Sequence, residues 1–452
     1  MQALGGAAPV VVLGAGAVLV LLVDLLLEGR ERLLRALTLV VLGLAAAAAL
    51  GISGAAFSHA VVLDPLARVA ALVAVAGAAV AVSLPPPVRW GGRWSAYLAL
   101  TLWAAAGMAL AAAAQNLIVL FLGIEVLSLG LYVLTAFSLS DGRGAEAAVK
   151  YFVLGGLGSG LLLMGSALSY AGRGSLVLAS EPAWTGLLTS TGLALIVAGL
   201  GFKLALTPFQ LWTADVYEGA PTPITAFMAV GTKAAAFAAL ARLVMVAFPG
   251  RLGWINLLAV LGLISMFVGY LLALRQPGLK RLLAFSGIAN AGTLVLALLA
   301  GPWHAVAFLY LAAYSAASLG AFAVVAAVES AGGDMDSLRG LGRRHPWLSA
   351  ALVVSLLSLA SVPPTGGFLA KLLLLEGLAQ AGYPLVAVLV IVGAVLALYP
   401  YFKLVVAVLS PAPEESCADL TQVPMAGLGI VAGLAVVATL ALGILPGPVL
   451  HG

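Results

Sequence analysis

Long apolar stretches fill most of the chain, and short breaks rich in glycine, proline or charge separate them. A helix needs about 20 apolar residues to cross the hydrocarbon core of a bilayer. Cutting the chain at these breaks predicts fourteen spanning helices. Their ranges are 8–27, 33–52, 66–83, 95–113, 116–138, 146–170, 190–211, 222–247, 254–274, 280–300, 303–329, 348–378, 384–409 and 425–446.

Two of these boundaries rest on very short interruptions. Only Gln115 and Asn116 separate the fourth span from the fifth, and only Gly301 and Pro302 separate the tenth from the eleventh. Backbone groups in lipid must find their hydrogen bonds within the protein, and the short alternating segments of a transmembrane barrel are missing from the sequence. The pattern therefore predicts an all-α polytopic membrane protein with about fourteen transmembrane helices.

Composition agrees with this fold class and argues against several kinds of site. The 452 residues are 63% hydrophobic and 8% charged, whereas a soluble domain has about 25% charged residues. The single cysteine, Cys417, excludes a disulfide framework and a cysteine-ligated iron–sulfur cluster. The net charge of +4 reflects loop arginines and does not indicate nucleic-acid binding. The histidines are too scattered to predict a metal or haem site; they are His59, His304, His345 and His451.

The distribution of Lys and Arg predicts the orientation, because cytoplasmic loops carry an excess of these residues. Twelve follow odd-numbered spans: Arg30, Arg32, Arg35, Arg89, Arg93, Arg143, Arg275, Lys280, Arg281, Arg339, Arg343 and Arg344. Four follow even-numbered spans: Arg68, Arg173, Arg242 and Arg251. We therefore expect the first set in the cytoplasm and both termini outside. Asp215 and Glu218 are then expected in a turn on the cytoplasmic side.

Two predicted spans contain helix breakers at mid-membrane depth. The seventh reads GFKLALTPFQLW, with Pro208 five residues after Lys203. The twelfth reads SVPPTGGFLAK, and its breakers are Pro363, Pro364, Gly366 and Gly367. Breaks are tolerated at this depth where the freed backbone groups line a cavity or pack on protein. Paired broken helices in two halves of a chain indicate a transport path.

The two breaks also suggest an internal repeat. Span seven is predicted to run inward and span twelve outward, so spans 4–8 and 9–13 would be inverted five-helix copies. The predicted segments are three N-terminal helices at 1–94, a first repeat at 95–247, a second repeat at 248–410, and a loop with the last helix at 411–452. Beyond a broken helix with a lysine, the two halves share little sequence.

Four charged residues lie deep inside predicted spans: Glu125, Lys203, Lys233 and Lys371. A charge at the bilayer centre costs about 2.5–3.5 kcal/mol and marks an ion pathway by default. Glutamate and lysine both titrate, which makes the proton the first candidate ion. A Glu125–Lys203 pair that forms and parts would gate a proton, and the alternative is a structural buried ion pair. Lys371 serves either as a relay group or as a cap for carbonyls freed by the break.

Further polar residues have a structural alternative beside a relay role. Lys150 lies a few residues into its span, where it snorkels to the cytoplasmic face, pairs with Glu146 or joins the relay. His304 is expected to anchor the membrane interface, with proton exit as the alternative. Tyr310 and Tyr314 are expected to pack in the core, with water-linked hydrogen bonds as the alternative. The chain has no Walker loop and no dinucleotide-binding fingerprint, so energy must come from an ion gradient or a partner.

The run GFKLALTPFQLWTADVYEGAPTPITAFMAVGTKAAAF, residues 201–237, resembles the proton-translocating membrane subunits of respiratory complex I. This family shares its antiporter-like core with the Mrp cation/proton antiporters. The similarity extends over nearly the whole chain, including EAAVKYFVLGGLGSGLLLMG, KRLLAFSGIANAG and PPTGGFLAK. The KYF run, and Lys371 where M-type subunits have glutamate, favour the N-type subunits of bacterial NADH–quinone oxidoreductase.

The resemblance implies fourteen helices with inverted repeats around a hydrated polar axis. It implies Glu125 as the inter-subunit or gating carboxylate, Lys203 as the central pump lysine, Lys233 as the connecting lysine and Lys371 as the outer-side lysine. Asn290 departs from the family, because many relatives have histidine there. Asparagine holds a water but does not carry a proton at neutral pH, so the relay would depend on water or run elsewhere.

The resemblance also implies where the chain works. NADH, FMN, iron–sulfur clusters and quinone are expected in partner subunits and none in this chain, with K-type and M-type subunits and lipid as neighbours. The expected location is the bacterial inner membrane, with both termini in the periplasm. A proton-translocating complex I subunit is the leading hypothesis. A Mrp-type cation/proton antiporter subunit and a purely structural membrane spacer are the alternatives.

Overall fold

The computed structural model describes residues 2–27, 30–84, 94–137, 142–179, 184–248, 252–300, 303–331, 335–411, 420 and 425–445. Several positions used above lie outside these ranges: Arg89, Arg93, Arg251, Gly301, Pro302, Cys417 and His451. Within the described ranges, thirteen helical segments are long and apolar enough to cross a membrane. The polytopic helical fold predicted from the sequence is therefore confirmed.

The described part of the chain contains eighteen α-helices. They are α1 (Ala8–Leu26), α2 (Glu31–Gly51), α3 (Pro65–Ser83), α4 (Trp94–Ala113), α5 (Leu117–Thr135), α6 (Gly142–Arg173), α7 (Leu187–Leu204), α8 (Thr213–Gly219), α9 (Thr222–Phe227), α10 (Lys233–Ala247), α11 (Leu252–Ala273), α12 (Leu279–Leu296), α13 (Trp303–Ser330), α14 (Leu341–Arg344), α15 (Pro346–Leu359), α16 (Gly366–Gln380), α17 (Pro384–Leu409) and α18 (Met425–Ile444). A short hairpin, β1 (Gly54–Ala56) with β2 (Val61–Leu63), joins α2 to α3 and was not expected.

Two predicted spans differ from single membrane-crossing helices. The seventh, predicted at 190–211, ends as a helix at Leu204, and the chain then turns before the short helix α8. The twelfth, predicted at 348–378, is two helices, α15 and α16. The span predicted at 222–247 is continuous, but a π-helical segment at 228–232 separates α9 from α10. Both predicted breaks are thus present.

The first break ends α7 with a left-handed residue and a tight turn. Ala205 has a φ of 60°, and its N–H donates to the Phe202 carbonyl oxygen at 3.1 Å. The N–H of Leu206 donates to the Gly201 oxygen at 2.8 Å, which completes the Schellman pattern. A turn follows, in which the Phe209 N–H donates to the Leu206 oxygen at 2.6 Å. The carbonyls freed at this helix end are therefore satisfied locally.

The second break repeats this local geometry between α15 and α16. Ser361 has a φ of 59°, and its N–H donates to the Ser358 oxygen at 2.9 Å. The N–H of Val362 donates to the Leu357 oxygen at 2.9 Å, and the Thr365 N–H closes the next turn onto the Val362 oxygen at 3.2 Å. Each break also contains one cis peptide bond before a proline. The two breaks share the same hydrogen bonds at the same spacing although their sequences differ.

The chain forms two compact units. Unit 1 comprises Met1–Val82, Val88–Trp212 and Gly231–Trp254, and unit 2 comprises Ser83–Pro87, Thr213–Val230 and Ile255–Gly452. The segment Thr213–Val230, which lies within the predicted first repeat at 95–247, packs in unit 2. The boundaries of the predicted repeats remain a prediction.

Loops that follow even-numbered spans meet at one end of unit 1. The N–H of Gln115 donates to the Ala60 oxygen at 2.9 Å, and the N–H of Leu117 donates to the Leu176 oxygen at 2.9 Å. Asn116 caps α5, because its side-chain oxygen accepts from the Ile118 N–H at 2.9 Å. The boundary predicted at Gln115 and Asn116 is therefore correct, and the loops after spans two, four and six lie together as an alternating topology requires.

Arg242 was counted with the outer loops, but it is buried on α10. Its guanidinium donates to both carboxylate oxygens of Asp64, each at 2.7 Å, and to the Ala112 oxygen at 2.9 Å. Asp64 also accepts from the Ala67 N–H in the first turn of α3, at 2.9 Å. This bidentate pair fixes the helix that carries Lys233 to α3 and α4.

Glycine at 367 permits a close approach between the two halves of the second broken helix. A Cβ atom there would lie 2.0 Å from the Ser358 carbonyl oxygen. We expect Gly367→Ala to lower the thermal midpoint of the purified protein, because the clash costs about 1–3 kcal/mol and exceeds the gain in helix propensity of about 1 kcal/mol. Gly429→Ala on α18 is the control, because no atom lies within 4 Å of its added Cβ. Equal midpoints for the two variants would contradict the close packing.

Candidate functional site

Lys203 lies in the last turn of α7 and is 2% exposed. Its ammonium donates to the Ser128 hydroxyl at 2.8 Å and lies 3.4 Å from the Tyr132 hydroxyl, both on α5. The aromatic rings of Tyr132, Tyr151 and Phe202 have their centroids 5.6, 5.8 and 5.4 Å from Nζ. Ring faces attract a cation at such distances. The site therefore holds a buried lysine with hydroxyl and aromatic groups as its partners.

Glu125 lies three residues before Ser128 on α5 and is partly exposed. In the described part of the chain, its Oε1 is buried and has no hydrogen-bond partner. No ion pair within 4.0 Å joins it to Lys203 among the described residues. Glu125 and Lys203 are therefore not in contact in this structure, and the lysine binds hydroxyls instead.

Aromatic packing fixes the broken end of α7. Trp212 stacks on Tyr151 with ring centroids 4.6 Å apart and planes 9° from parallel, and its Nε1 donates to the Phe202 oxygen at 3.0 Å. Tyr151 in turn meets Tyr132 edge to face at 4.7 Å. The turn after the break, which ends at Trp212, therefore closes over the helix end that carries Lys203.

Lys233 is 1% exposed and is the first residue of α10, directly after the π-helical segment at 228–232. A π-helical turn inside an α-helix frequently marks a functional site. In unit 2, the Tyr314 hydroxyl donates to the Ala229 carbonyl oxygen of this segment at 3.3 Å. Tyr314 therefore binds backbone at the irregular turn, which the expectation of simple core packing did not include.

Asn290 on α12 is the centre of a buried polar cluster in unit 2. Its Nδ2 donates to the Ser286 carbonyl oxygen at 2.9 Å, and its Oδ1 accepts from the Tyr310 hydroxyl at 2.8 Å. The Tyr401 hydroxyl lies 3.4 Å from Nδ2 and 2.5 Å from the Ser286 hydroxyl. A backbone oxygen only accepts, so it orients the amide with Nδ2 toward Ser286 and Tyr401.

This orientation sets the direction of the neighbouring hydroxyl hydrogens. Because Nδ2 only donates, Tyr401 accepts from Asn290 and its own hydrogen is free for Ser286. Tyr310 donates its hydrogen to Asn290 from the other side. The asparagine joins two hydroxyl groups by hydrogen bonds, but it does not itself pass a proton between them.

Lys371 lies five residues into α16 and is 5% exposed. Within 335–411, where the chain is described without a gap, no group accepts a hydrogen bond from its Nζ. The carbonyls at the break are bonded by backbone N–H groups instead, including those of Ser361 and Val362. The alternative of a lysine that caps the break therefore lacks its contact.

A small cavity connects the polar cluster with the second break. Its lining includes Asn290, Tyr310, Tyr314, Ser358, Ser361 and Ala370, the residue before Lys371. The space open to the centre of a water molecule is about 10 Å³, which is room for about one water. Five of these residues carry polar side chains, so a water here would find several partners.

The remaining candidates lie at the edges of the helices. Lys150 is 42% exposed and pairs with Glu146 at 2.8 Å, as the spacing of four residues predicted. His304 is exposed in the first turn of α13, where its ring meets Phe308 edge to face at 6.2 Å. The exposure of both residues agrees with the interfacial expectation for His304 and with the snorkelling or Glu146-pairing interpretation of Lys150.

Several polar contacts at one end of unit 2 were missed in the sequence. Asp215 and Glu218 lie on α8, and each pairs with Arg281 at 2.8 Å. Lys280 pairs at 2.7 Å with Glu329 near the end of α13, a residue that the sequence did not single out. Glu329 could have been noticed because it is the single charged residue in the predicted span 303–329. Its partner, Lys280, is identified only when the fold brings the ends of the two helices together. Tyr401 gave no signal, because tyrosine beside Pro400 in an apolar run indicates packing.

Comparison with known sequences identifies relatives along nearly the full chain. The family described as "NADH:quinone oxidoreductase/Mrp antiporter, TM" matches residues 114–397. A protein named NADH-quinone oxidoreductase subunit N 1 from Symbiobacterium thermophilum is 41% identical, covering 98% of this chain and 96% of the relative. NADH-quinone oxidoreductase subunit N from Chloroflexus aggregans is 37% identical, covering 98% and 94%.

Solved structures show the same fold. A chain of respiratory complex I from Thermus thermophilus with bound aureothin has a TM-score of 0.84 at 38% identity, covering 98% of both chains. A chain of the Mrp complex from Dietzia has a TM-score of 0.87 at 22% identity, covering 98% of this chain and 95% of the other. At that identity, the second similarity concerns the fold alone.

The Asn290 cluster yields a stability test. We expect Asn290→Leu to lower the thermal midpoint of the purified protein, because losing the amide leaves the buried Tyr310 hydroxyl without its acceptor, at a cost of about 1–3 kcal/mol. Asn256→Leu on α11 is the control for the same chemical change, because Asn256 is exposed and makes no side-chain hydrogen bond among the described residues. A midpoint for Asn290→Leu equal to that of the control would show that the cluster contributes nothing to stability.

Proposed function

Because the chain belongs to the NADH-quinone oxidoreductase subunit N proteins of the NADH:quinone oxidoreductase/Mrp antiporter family, we propose that it translocates protons as a membrane subunit of NADH–quinone oxidoreductase. Quinone reduction elsewhere in the complex drives this movement through a mid-membrane relay of Glu and Lys side chains. The single observation that carries the proposal is Lys203, a lysine 2% exposed whose ammonium binds a hydroxyl while the nearby Glu125 carboxylate stands apart.

The first half of the relay is Glu125, Lys203 and Lys233. Contact between Glu125 and Lys203 favours the charged ammonium, because an opposite charge offsets the cost of burial. When the pair parts, the ammonium keeps only uncharged partners, the hydroxyls of Ser128 and Tyr132 and the neighbouring aromatic rings, and holds its proton less strongly. A charge shift in a neighbouring subunit that moves Glu125 therefore changes the proton affinity of Lys203 and releases a proton toward Lys233.

The second half of the relay is Lys371 with the polar cluster around Asn290. A tyrosine or serine hydroxyl accepts one proton and donates another, whereas the amide of Asn290 does not. The route is therefore expected over Tyr310, Tyr401 and Ser286, with water in the small cavity, and not through Asn290. Lys150 and His304, which are exposed, are assigned to the edge of the path.

The proposed function also implies which subunits hold the cofactors, which subunits are neighbours and in which membrane the chain lies. NADH, FMN, iron–sulfur clusters and quinone belong to partner subunits, and this chain carries no redox site of its own. Its neighbours are K-type and M-type membrane subunits and lipid, in the bacterial inner membrane with both termini in the periplasm. The loop count of Lys and Arg supports this orientation.

A Mrp-type cation/proton antiporter is the weaker alternative, because the Mrp chain shares the fold at only 22% identity. Purification from native membranes separates the two functions. Co-purified flavin and iron–sulfur subunits support the oxidoreductase, whereas sodium-dependent proton exchange by the chain alone in liposomes supports the antiporter.

Lys203 is the first target for a functional test. We expect Lys203→Ala in the assembled complex to lower proton pumping severalfold together with NADH–quinone turnover. The physical reason is that a positioned proton-transfer group accelerates its step by about 10²–10⁴-fold. The measurements are the pH change in vesicles and NADH oxidation with a quinone acceptor, at equal complex content.

The variant Lys203→Arg distinguishes a proton-relay role of Lys203 from a structural role. Arginine keeps the positive charge but does not release its proton, so it retains a structural ion pair and abolishes a relay. Arg275→Ala, which removes an exposed cation after α11, is the control. Normal pumping and turnover in both Lys203 variants would reject the proton-transfer role, and loss with alanine but not arginine would favour the structural alternative.

Tyr401 offers a test of the second half of the proposed relay. We expect Tyr401→Phe to reduce proton pumping per NADH, and by less than Lys203→Ala, because it removes one hydroxyl while Tyr310 remains. Tyr383→Phe, near the start of the same helix, is the control. Pumping in Tyr401→Phe equal to that of the control would exclude the Ser286–Tyr401 pair from the path.

A further inference from the structure

An open groove lies beside the cytoplasmic-side end of α17, as the loop count orients the chain. Its volume is about 670 Å³, within the range of about 300–1,000 Å³ of small-molecule sites. One wall is α17 itself, and the other is the short segment around the 3₁₀ turn Asp336–Leu338. The Gly340 N–H donates to the Ser410 oxygen at 2.9 Å, which ties this segment to the end of α17.

The α17 wall is an apolar stripe. Its residues at helical spacing are Val395, Leu398, Tyr399, Phe402 and Val406, and all five are exposed. From Val395 to Val406 the stripe extends about 17 Å at the rise of an α-helix. This equals about half of the hydrocarbon core, which is about 30 Å thick. The part of the exposed apolar face of α17 that lines the groove therefore has about the length of one bilayer leaflet.

The polar end of the groove carries two cations. Arg339 and Lys403 both line it, both are exposed, and neither side chain makes a hydrogen bond or ion pair with another described residue. One carboxylate, Asp336, also lines the groove. The side chains of the groove therefore leave one net positive charge, with two cationic groups available to an anion near the cytoplasmic-side end of the apolar stripe.

We propose that this groove binds an anionic phospholipid. Its phosphate lies against Arg339 and Lys403, and an acyl chain lies along the α17 stripe. Each cation near an anionic headgroup strengthens binding by about fivefold. A zwitterionic headgroup gains less, because its own positive group meets the same two cations. A helix of a partner subunit bound in this groove would instead need an acidic side chain at the depth of Arg339 and Lys403 to offset their charge. This inference is independent of the proton-transfer proposal.

The assembled complex tests the proposal by photo-crosslinking in phosphatidylcholine vesicles. Two probes carry the same photoactivatable acyl chain, one with a phosphatidylglycerol and one with a phosphatidylcholine headgroup. Mass spectrometry quantifies the labelled peptides of Pro384–Leu409. We expect phosphatidylglycerol to label them at least about fivefold more than phosphatidylcholine. We expect Arg339→Gln with Lys403→Gln to reduce this excess to the level of phosphatidylcholine.

Arg275→Gln is the matched control, because Arg275 is also exposed and unpaired among the described residues but does not line the groove. It should keep the phosphatidylglycerol excess. Equal labelling by both probes in the native complex would overturn the proposal, as would an excess that survives loss of both cations. Absence of labelling by either probe would mean that a partner subunit covers the stripe, which also overturns it.

Discussion

A helix interrupted inside a membrane must satisfy its freed backbone groups within the protein, and the arrangement of the candidate site depends on this constraint. Both breaks meet it in the same way, with a left-handed residue, a Schellman pair of hydrogen bonds and a tight turn. At the first break, Trp212 adds an indole bond to the Phe202 carbonyl. Because backbone groups already supply these bonds, the side chains of Lys203 and Lys371 are not needed for them. Neither lysine is therefore needed to cap the carbonyls of a broken helix. Both remain available for chemistry beside the irregular backbone.

Two pairs of opposite charges in unit 1 differ in how firmly their contacts hold them. Arg242 and Asp64 form two short bonds in matched geometry, and Arg242 also binds the Ala112 carbonyl, so this pair has few alternatives. Glu125 and Lys203 have no such contact, and the lysine binds a hydroxyl that any nearby carboxylate can displace. A pair that gates a proton must be able to form and part, whereas one that holds α10 in place must not. Under the proposed function, these opposite requirements fall on different residues of the same unit.

Apolar length and helix breakers were sufficient to predict most of the fold, because lipid forces every spanning segment to satisfy its own backbone. The breaks at Pro208 and Pro363–Pro364 and the burial of Lys203, Lys233 and Lys371 followed from the same reasoning. The hairpin β1–β2 did not, because three-residue strands carry no periodic signal. Arg242 was misplaced because a residue near a predicted helix end looks exposed until Asp64, 178 residues away, is brought beside it. Tyr401 and Glu329 were missed for the same reason, since their partners lie on other helices.

Asn290 shows how a side chain that does not titrate can organise a buried polar cluster. The amide holds Ser286, Tyr310 and Tyr401 with the bonds that a polar hub requires, and it orients their hydrogens because it donates on one side and accepts on the other. An amide does not exchange protons on the scale of a relay, so charge must pass around it. The hydroxyls it orients and the water-sized cavity beside it provide the groups for such a path. In the proposed relay, Asn290 positions the hydroxyl groups, so a residue that cannot carry a proton is compatible with a path over groups that can.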